Sequence, residues 1–134
     1  MGRLVIVIGL VAGLITLAVL EQHFIQGAYN YLERNTNEIM ASVRSLDEEV
    51  GVGIATPENI AKINYMYEWW LKQERRLSML ARHFDLAQVS DSLIYAKNFI
   101  YFNNKEEAMV GLLKLQYLIK THSFNIGTSI QNVI

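Results

Sequence analysis

The sequence predicts an all-α protein, in which one N-terminal transmembrane helix continues into an antiparallel up-down four-helix bundle. Three observations support this prediction. An uninterrupted apolar run lies near the N-terminus, apolar residues recur at helical spacing through the rest of the chain, and Pro57 is the single proline among 134 residues. Apolar residues make up 51% of the chain, with the excess near the N-terminus, so the remainder suffices for one domain.

The first element is the apolar run 4–20, LVIVIGLVAGLITLAVL, which no charged residue interrupts. It is at the short end of the ~17–25 residues that span a bilayer core, and in lipid its backbone must be helical to bond internally. A cleaved signal peptide would have a shorter apolar core and a small-x-small cleavage site, which Ala18-Val19-Leu20 does not provide. A buried helix of a soluble protein is the remaining alternative. We expect a retained anchor over residues 1–22.

The charges that flank this run predict its orientation. Arg3 and the amino terminus precede it, Glu21 follows it, and the next positive residue is Arg34. Positive residues favour the cytoplasmic side of a spanning helix. We therefore expect a single-pass protein of the cell membrane with a cytoplasmic N-terminus and an extracytoplasmic domain over residues 23–134.

The first two helices of the bundle follow from an apolar seam and a helix-start signal. From Ile25 to Val50 apolar residues recur at alternating steps of four and three, the spacing of a helix that packs on another helix. This predicts a first helix over about 23–49, continuous with the span. Thr56 stands before a proline and a glutamate, which is typical of a helix cap. The second helix is expected over about 57–83.

The last two helices are predicted to form an antiparallel hairpin. Asp85 is a candidate cap for a third helix at about 86–102, and Asn104 for a fourth at about 105–121. Their short connection favours antiparallel neighbours. After residue 121 a glycine and several β-branched residues argue against a stable helix, so we expect an apolar tail that packs back on the bundle, lipid or a partner.

The residue inventory predicts no catalytic, metal-binding or cofactor-binding site, and hence a non-enzymatic protein. The chain has no cysteine, and His23, His83 and His122 match no metal-binding spacing. His83 is close to Asp85 at a helix joint, where capping and local hydrogen bonding are the expected roles and a metal or acid–base role is the alternative. A formal net charge of −1 with interspersed signs predicts no nucleic-acid binding.

Two sets of residues are candidates for contact with a partner. Gly9 and Gly13 form a G-x-x-x-G on the spanning helix, which permits close approach of a second helix. Tyr65 and Trp69 are four residues apart in the aromatic cluster 65–70 and form a second apolar face of the second helix. A helix that is apolar on two sides is either central in its bundle or binds a partner with its outer side.

A series of residues in the C-terminal half carries a family resemblance: Trp70, Arg75, Leu77, His83, Leu93, Lys97, Lys105-Glu106-Glu107-Ala108, Leu115, Leu118 and Asn132-Val133-Ile134. In this order the chain resembles the domain-of-unknown-function family four-three-six-three, found mainly in Firmicutes. The resemblance implies one apolar span, a helical region and no established activity, and it suggests a multi-pass membrane protein as the partner. Phe84 departs from the acidic residues that follow the family's histidine, of which only Asp85 remains.

These features together predict an accessory or interaction subunit of a membrane complex. Its expected partners are the lipid bilayer and an integral-membrane protein, or a second copy of itself. The alternative is an extracytoplasmic ligand-sensing helical bundle that acts through a membrane partner, because the short cytoplasmic start supplies no output of its own.

Overall fold

The computed structural model describes residues 1–46, 53–79 and 83–131, with the backbone alone for 83–84 and 123–131. These residues form four helices: α1 (Gly2–Leu46), α2 (Pro57–Leu77), α3 (His83–Tyr101) and α4 (Lys105–Gln131). No strand occurs in this part of the chain. The predicted all-α fold, with a long apolar N-terminal helix and a bundle behind it, is confirmed.

Helix α1 unites the apolar run and the first bundle helix in one 45-residue helix. An apolar window near its N-terminus has a mean hydropathy of 2.7 and is not buried within the chain. Burial begins at Ile25 and recurs to Val43. By length and composition α1 can cross a membrane, and its second half packs in the bundle. The predicted end near residue 49 lies outside the described residues.

The four helices form a closed ring in which each helix runs antiparallel to its neighbours. Helices α1 and α3 both contact α2 and α4, and neither diagonal pair is in contact within the described residues. The direction follows from side-chain pairs whose numbers rise in one helix and fall in the next: Tyr31–Trp69 and Ser42–Asn59, Tyr29–His122 and Asn37–Gln116. Because the helices alternate, the end of α2, the start of α3 and the last turns of α4 lie toward the apolar half of α1.

The core contains most of the predicted seams. Helices α3 and α4 each bury one apolar stripe, formed by Leu86, Val89, Leu93, Ala96 and Ile100 and by Ala108, Leu112, Leu115 and Ile119. On α2, Met66 is fully buried, whereas the neighbouring Tyr67 is only half-buried. Burying a Leu, Ile or Met side chain stabilises by roughly 1.5–3 kcal/mol, so these stripes provide the main driving force for the bundle.

Three predicted boundaries are wrong. Helix α2 ends at Leu77 instead of about 83, where the Ser78 hydroxyl donates to the Arg75 carbonyl, a local bond typical of a helix end. Helix α3 begins at His83 instead of 86. Helix α4 continues to Gln131 instead of ending near 121.

The continuation of α4 has a physical reason. Leu118, Ile119 and His122 are buried against the bundle, so the packed face reaches His122, one residue past the predicted end. Tertiary packing contributes more to most protein helices than intrinsic propensity does, and a helix held in place at His122 can propagate into the residues that follow. The predicted non-helical tail is therefore wrong up to Gln131, and 132–134 lie outside the described residues.

The three candidate caps behave differently. Thr56 Oγ1 accepts the N–H of Asn59 at 3.1 Å, and Asn104 Oδ1 accepts the N–H of Glu107 at 3.2 Å, so both cap their helices. Asp85 is the third residue of α3 and is not its cap, because α3 begins two residues before it. Its carboxylate is near His122 instead.

The α3–α4 turn is closed by Asn103, which adopts a left-handed backbone with φ 58°. Its N–H donates to the carbonyl of Ile100 at 3.1 Å, and the next N–H donates to the carbonyl of Phe99 at 2.9 Å. This pair of bonds is the Schellman helix end. The Asn103 side chain also accepts the N–H of Ala55 at 2.7 Å, which ties the segment before α2 to this turn.

Helices α3 and α4 approach each other closely at Gly111. A Cβ on this glycine would lie 2.9 Å from Cδ1 of Tyr95, and 3.0 and 3.1 Å from the backbone N and Cα of Ala96. Because two of these atoms belong to backbone, only a residue without a Cβ fits without displacement. Gly111 therefore sets the distance between the two helices.

Candidate functional site

A set of buried or half-buried polar side chains lies at the end of the bundle nearest the apolar half of α1. We call it the polar network: Tyr29, Trp70, Glu74, Asp85, Ser90 and His122. All four helices contribute, because α1 supplies one residue, α2 two, α3 two and α4 one. Polar groups in a low-dielectric interior are costly unless they are paired, so the arrangement depends on its internal bonds.

The first part of the network joins α1, α4 and α3. The hydroxyl of Tyr29 lies 3.2 Å from Nδ1 of His122, and the two rings meet edge-on with centroids 5.7 Å apart. Nε2 of His122 lies 3.9 Å from Oδ1 of Asp85. This geometry is consistent with a neutral imidazole that carries its proton on Nε2, toward the carboxylate, and accepts the tyrosine proton on Nδ1.

Burial sets the charge state of this part. Burial lowers the pKa of His122, and the opposing effect of the nearby Asp85 carboxylate is smaller. Tyr29 lies in the bundle half of α1, beyond the apolar run, where burial and then the Asp85 carboxylate raise the pKa of its hydroxyl to about 12. Both rings are therefore neutral at neutral pH, and His122 is the group that can change charge on mild acidification.

The second part of the network joins α2 and α3. The indole N–H of Trp70 donates to Oγ of Ser90 at 2.8 Å, and that hydroxyl donates to Oε2 of Glu74 at 3.0 Å. The Trp70 ring also faces the Tyr29 ring, with centroids 6.3 Å apart. The fully buried tryptophan thus connects the two parts and joins α2 to α1 and α3.

This arrangement can hold helices in register and store a proton. The Ser90 hydroxyl is already bonded on both sides, and His122 has only 6% of its surface exposed. Within the described residues, no three His, Asp or Glu side chains are placed to hold a metal ion. Asp85 contacts His122, whereas the predicted local role of His83 with Asp85 involves a side chain that lies outside the described residues.

The sequence did not predict this network, although it carried one signal. His122 follows Leu115 by seven residues and Leu118 by four, so it continues the buried stripe of α4. A histidine at such a position needs a hydrogen-bond partner. The identity of that partner depends on the register of α1 against α4, which is 93 residues away in sequence.

The four predicted contact residues lie in two separate regions. Gly9 and Gly13 are exposed, and a Cβ on either would meet nothing within 4 Å, so their face is open. Tyr65 has 65% of its surface exposed. Trp69 is half-buried and packs on Tyr31 of α1 with ring centroids 3.8 Å apart, so it contributes to the α1–α2 interface. At about 1.5 Å per residue, the two regions are about 27 Å apart along α1.

A further exposed apolar surface lies on α4 and was not predicted. Val110, Leu113 and Tyr117 are 53%, 45% and 68% exposed, and we call them the outer stripe of α4. Their spacing of three and four residues places them on one face, opposite the buried stripe. Because α4 lies diagonally across the ring from α2, this face points away from Tyr65.

Comparison with known proteins adds no relative to this description: no protein-family model, no curated protein and no solved structure matches the chain.

Proposed function

We propose that this protein is a membrane-anchored, non-enzymatic accessory subunit that binds an integral-membrane partner through α1 and the outer stripe of α4. The outer stripe is the observation that carries this proposal. The bundle uses the inner face of α4 for its core, and in a closed ring of four helices no further helix covers the outer face. Apolar residues in a continuous exposed row are typical of binding surfaces.

The geometry defines what such a partner must offer. Tyr29 lies about 14 Å above Leu20 at 1.5 Å per residue, and His122 is level with Tyr29. The outer stripe, from Tyr117 to Val110, therefore lies about 20–30 Å above the end of the apolar run. The partner needs a spanning helix that can pack on the Gly9/Gly13 face and a part that projects this far from the membrane.

The cytoplasmic N-terminus, the extracytoplasmic bundle and the resemblance to family four-three-six-three belong to the same proposal. Arg3 before the apolar run and Glu21 after it support this orientation. The resemblance favours a multi-pass membrane protein as the partner, and a second copy of this chain is the other partner that a G-x-x-x-G face accommodates.

A second candidate function, a sensing bundle that acts through a membrane partner, is favoured by the polar network. A ligand for such a bundle would need an enclosing site, whereas the depression at the α3–α4 turn, lined by residues 102–106 and Met109, is open to solvent. The proton is the ligand that the network can bind, at His122. Loss of partner binding on acidification in the native chain, but not in His122→Gln, would support this second function.

The accessory-subunit proposal is tested by purification of the C-terminally tagged full chain from native membranes. We expect a stoichiometric integral-membrane protein to co-purify with it, and Leu113→Lys/Tyr117→Lys to lose that protein while the bundle stays folded. Tyr65→Lys is the matched control, because it changes a tyrosine of similar exposure on the diagonal helix and should retain the partner. A partner that survives the outer-stripe substitutions would contradict the proposal for α4, and Gly9→Leu/Gly13→Leu tests the span in the same way.

A further inference from the structure

We infer that the membrane-side end of the bundle rests on the headgroups of anionic phospholipids, through Arg75 and Arg76 in the last turn of α2 and Met79 in the turn that follows. The inference rests on the membrane anchoring of α1 that forms part of the proposed function. It adds a second contact with the bilayer, separate from the spanning helix and from the partner surface on α4.

The register of α2 against α1 places these residues at the bilayer surface. Trp70 lies beside Tyr29, about 14 Å above Leu20 at 1.5 Å per residue. Because α2 runs back toward the membrane, Arg75 and Arg76 are about 8–9 Å lower than Trp70, which leaves them about 5–6 Å above Leu20. Met79 reaches about the level of Leu20. The headgroup layer extends about 5–8 Å beyond the hydrocarbon core, so both arginines lie at the level of the headgroups.

The two arginines are free to bind such headgroups. Both are exposed on the outward side of α2, and no carboxylate in the described part of the chain lies within ion-pair distance of either. Of the carboxylates at this end, Asp85 faces His122 and Glu74 accepts the Ser90 hydroxyl. Glu21 remains as the exposed acidic residue where α1 leaves the apolar run.

The chemistry of these side chains matches a phospholipid surface. A guanidinium donates two parallel hydrogen bonds to a phosphate, and each basic residue near an anionic membrane favours the bound state by about fivefold. Met79 is 89% exposed, and an apolar side chain at this level can enter the boundary between headgroups and acyl chains.

Basic residues in the last turn of a helix also stabilise that helix by interacting with its dipole, and this effect requires no membrane. Arg44 occupies the last turn of α1, at the far end of the bundle. It therefore serves as the matched control: Arg44→Gln removes a charge from a helix end without a membrane nearby.

The test uses nitroxide labels on the full chain reconstituted in vesicles. The sequence has no cysteine, so a single cysteine can be introduced at Met79, at Phe102 on the far end of the bundle, or at Leu14 within the apolar run. Collision of each label with oxygen and with a polar nickel chelate gives its depth. In vesicles with phosphatidylglycerol, we expect label 79 at the headgroup level, label 102 in water and label 14 in the hydrocarbon.

Removal of the arginines gives the decisive comparison. In Arg75→Gln/Arg76→Gln, we expect label 79 to become more accessible to the nickel chelate, and in Arg44→Gln to keep its accessibility. Equal accessibility of label 79 in the native chain and in the double variant would contradict the arginine contact. In vesicles of phosphatidylcholine alone, label 79 on the native chain should show the same rise in accessibility as it shows in the arginine variant. If label 79 is in water in anionic vesicles while label 14 is in the hydrocarbon, this inference is wrong and the anchor stands. If label 14 is also in water, the anchor itself is wrong.

Discussion

The α3–α4 contact at Gly111 predicts that Gly111→Ala destabilises the protein, whereas helix propensity alone predicts that it stabilises it. Alanine is a better helix former than glycine by about 0.5–1 kcal/mol, because it loses less backbone freedom on folding. At Gly111, however, the new Cβ would lie about 3 Å from the backbone of Ala96 and 2.9 Å from Cδ1 of Tyr95. Overpacking of a core typically costs 1–3 kcal/mol. We expect Gly111→Ala to lower the free energy of unfolding by roughly 0–2.5 kcal/mol, the overpacking cost less the gain in helix propensity.

Gly27 provides the matched control for this prediction. It also lies within a helix, but a Cβ there would meet nothing within 4 Å. Gly27→Ala should therefore raise the free energy of unfolding by about 0.5–1 kcal/mol. The difference between the two variants isolates the steric cost of about 1–3 kcal/mol, because the gain in helix propensity is common to both.

The assay is chemical denaturation of the full chain in detergent micelles, followed by far-ultraviolet circular dichroism. The three proteins are compared in the same micelle, so the unfolding of the bundle is referred to one environment. If Gly111→Ala is as stabilising as Gly27→Ala, the two helices are not in close backbone contact at this glycine, and the derived α3–α4 packing is refuted.

Three further predictions concern the polar network, the α3–α4 turn and the α1–α2 interface. Because burial lowers the folded-state pKa of His122, the unfolded chain binds a proton at a higher pH than the folded chain. The free energy of unfolding should therefore be highest above about pH 6.5, fall as the pH drops toward the lowered pKa and then level off. His122→Gln should flatten this slope in a denaturation series from about pH 4 to 8. Asn103→Ala should destabilise by about 1–2 kcal/mol more than Asn103→Gly in urea denaturation, because glycine keeps the left-handed backbone and both lose the bond to Ala55; equal losses would contradict the strain argument. Trp69→Ala should lower the free energy of unfolding by about 1–3 kcal/mol through loss of the Tyr31 contact. Unchanged stability would mean that Trp69 is a surface residue and does not contribute to the α1–α2 interface.

The sequence predicted the features that depend on periodicity. The seam of α1 follows from apolar spacing alone, and the continuity of α1 follows from the absence of a break between the apolar run and Ile25. The caps Thr56 and Asn104 were also predictable, because a cap side chain bonds to a backbone N–H only three residues away in sequence.

The features that depend on three-dimensional register were not predicted. The pairing of His122 with Tyr29, the close approach at Gly111 and the Trp69–Tyr31 contact each join residues from different helices. The predicted end of α4 was wrong because His122 packs in the bundle beyond it, which local propensity does not reveal. The outer stripe was missed because the inner stripe alone accounts for the fold of α4.

The most direct test of the proposed function is a photo-crosslinking amino acid placed at Tyr117 in the native membrane. Tyr117 and Tyr65 are 68% and 65% exposed on diagonal helices. A probe is therefore almost equally accessible at the two positions but lies on different sides of the bundle. We predict that a probe at position 117 captures an integral-membrane protein or a second copy of the chain, and that a probe at position 65 does not. Equal capture at both positions, or capture at 65 alone, would contradict the assignment of the outer stripe of α4 as the partner surface.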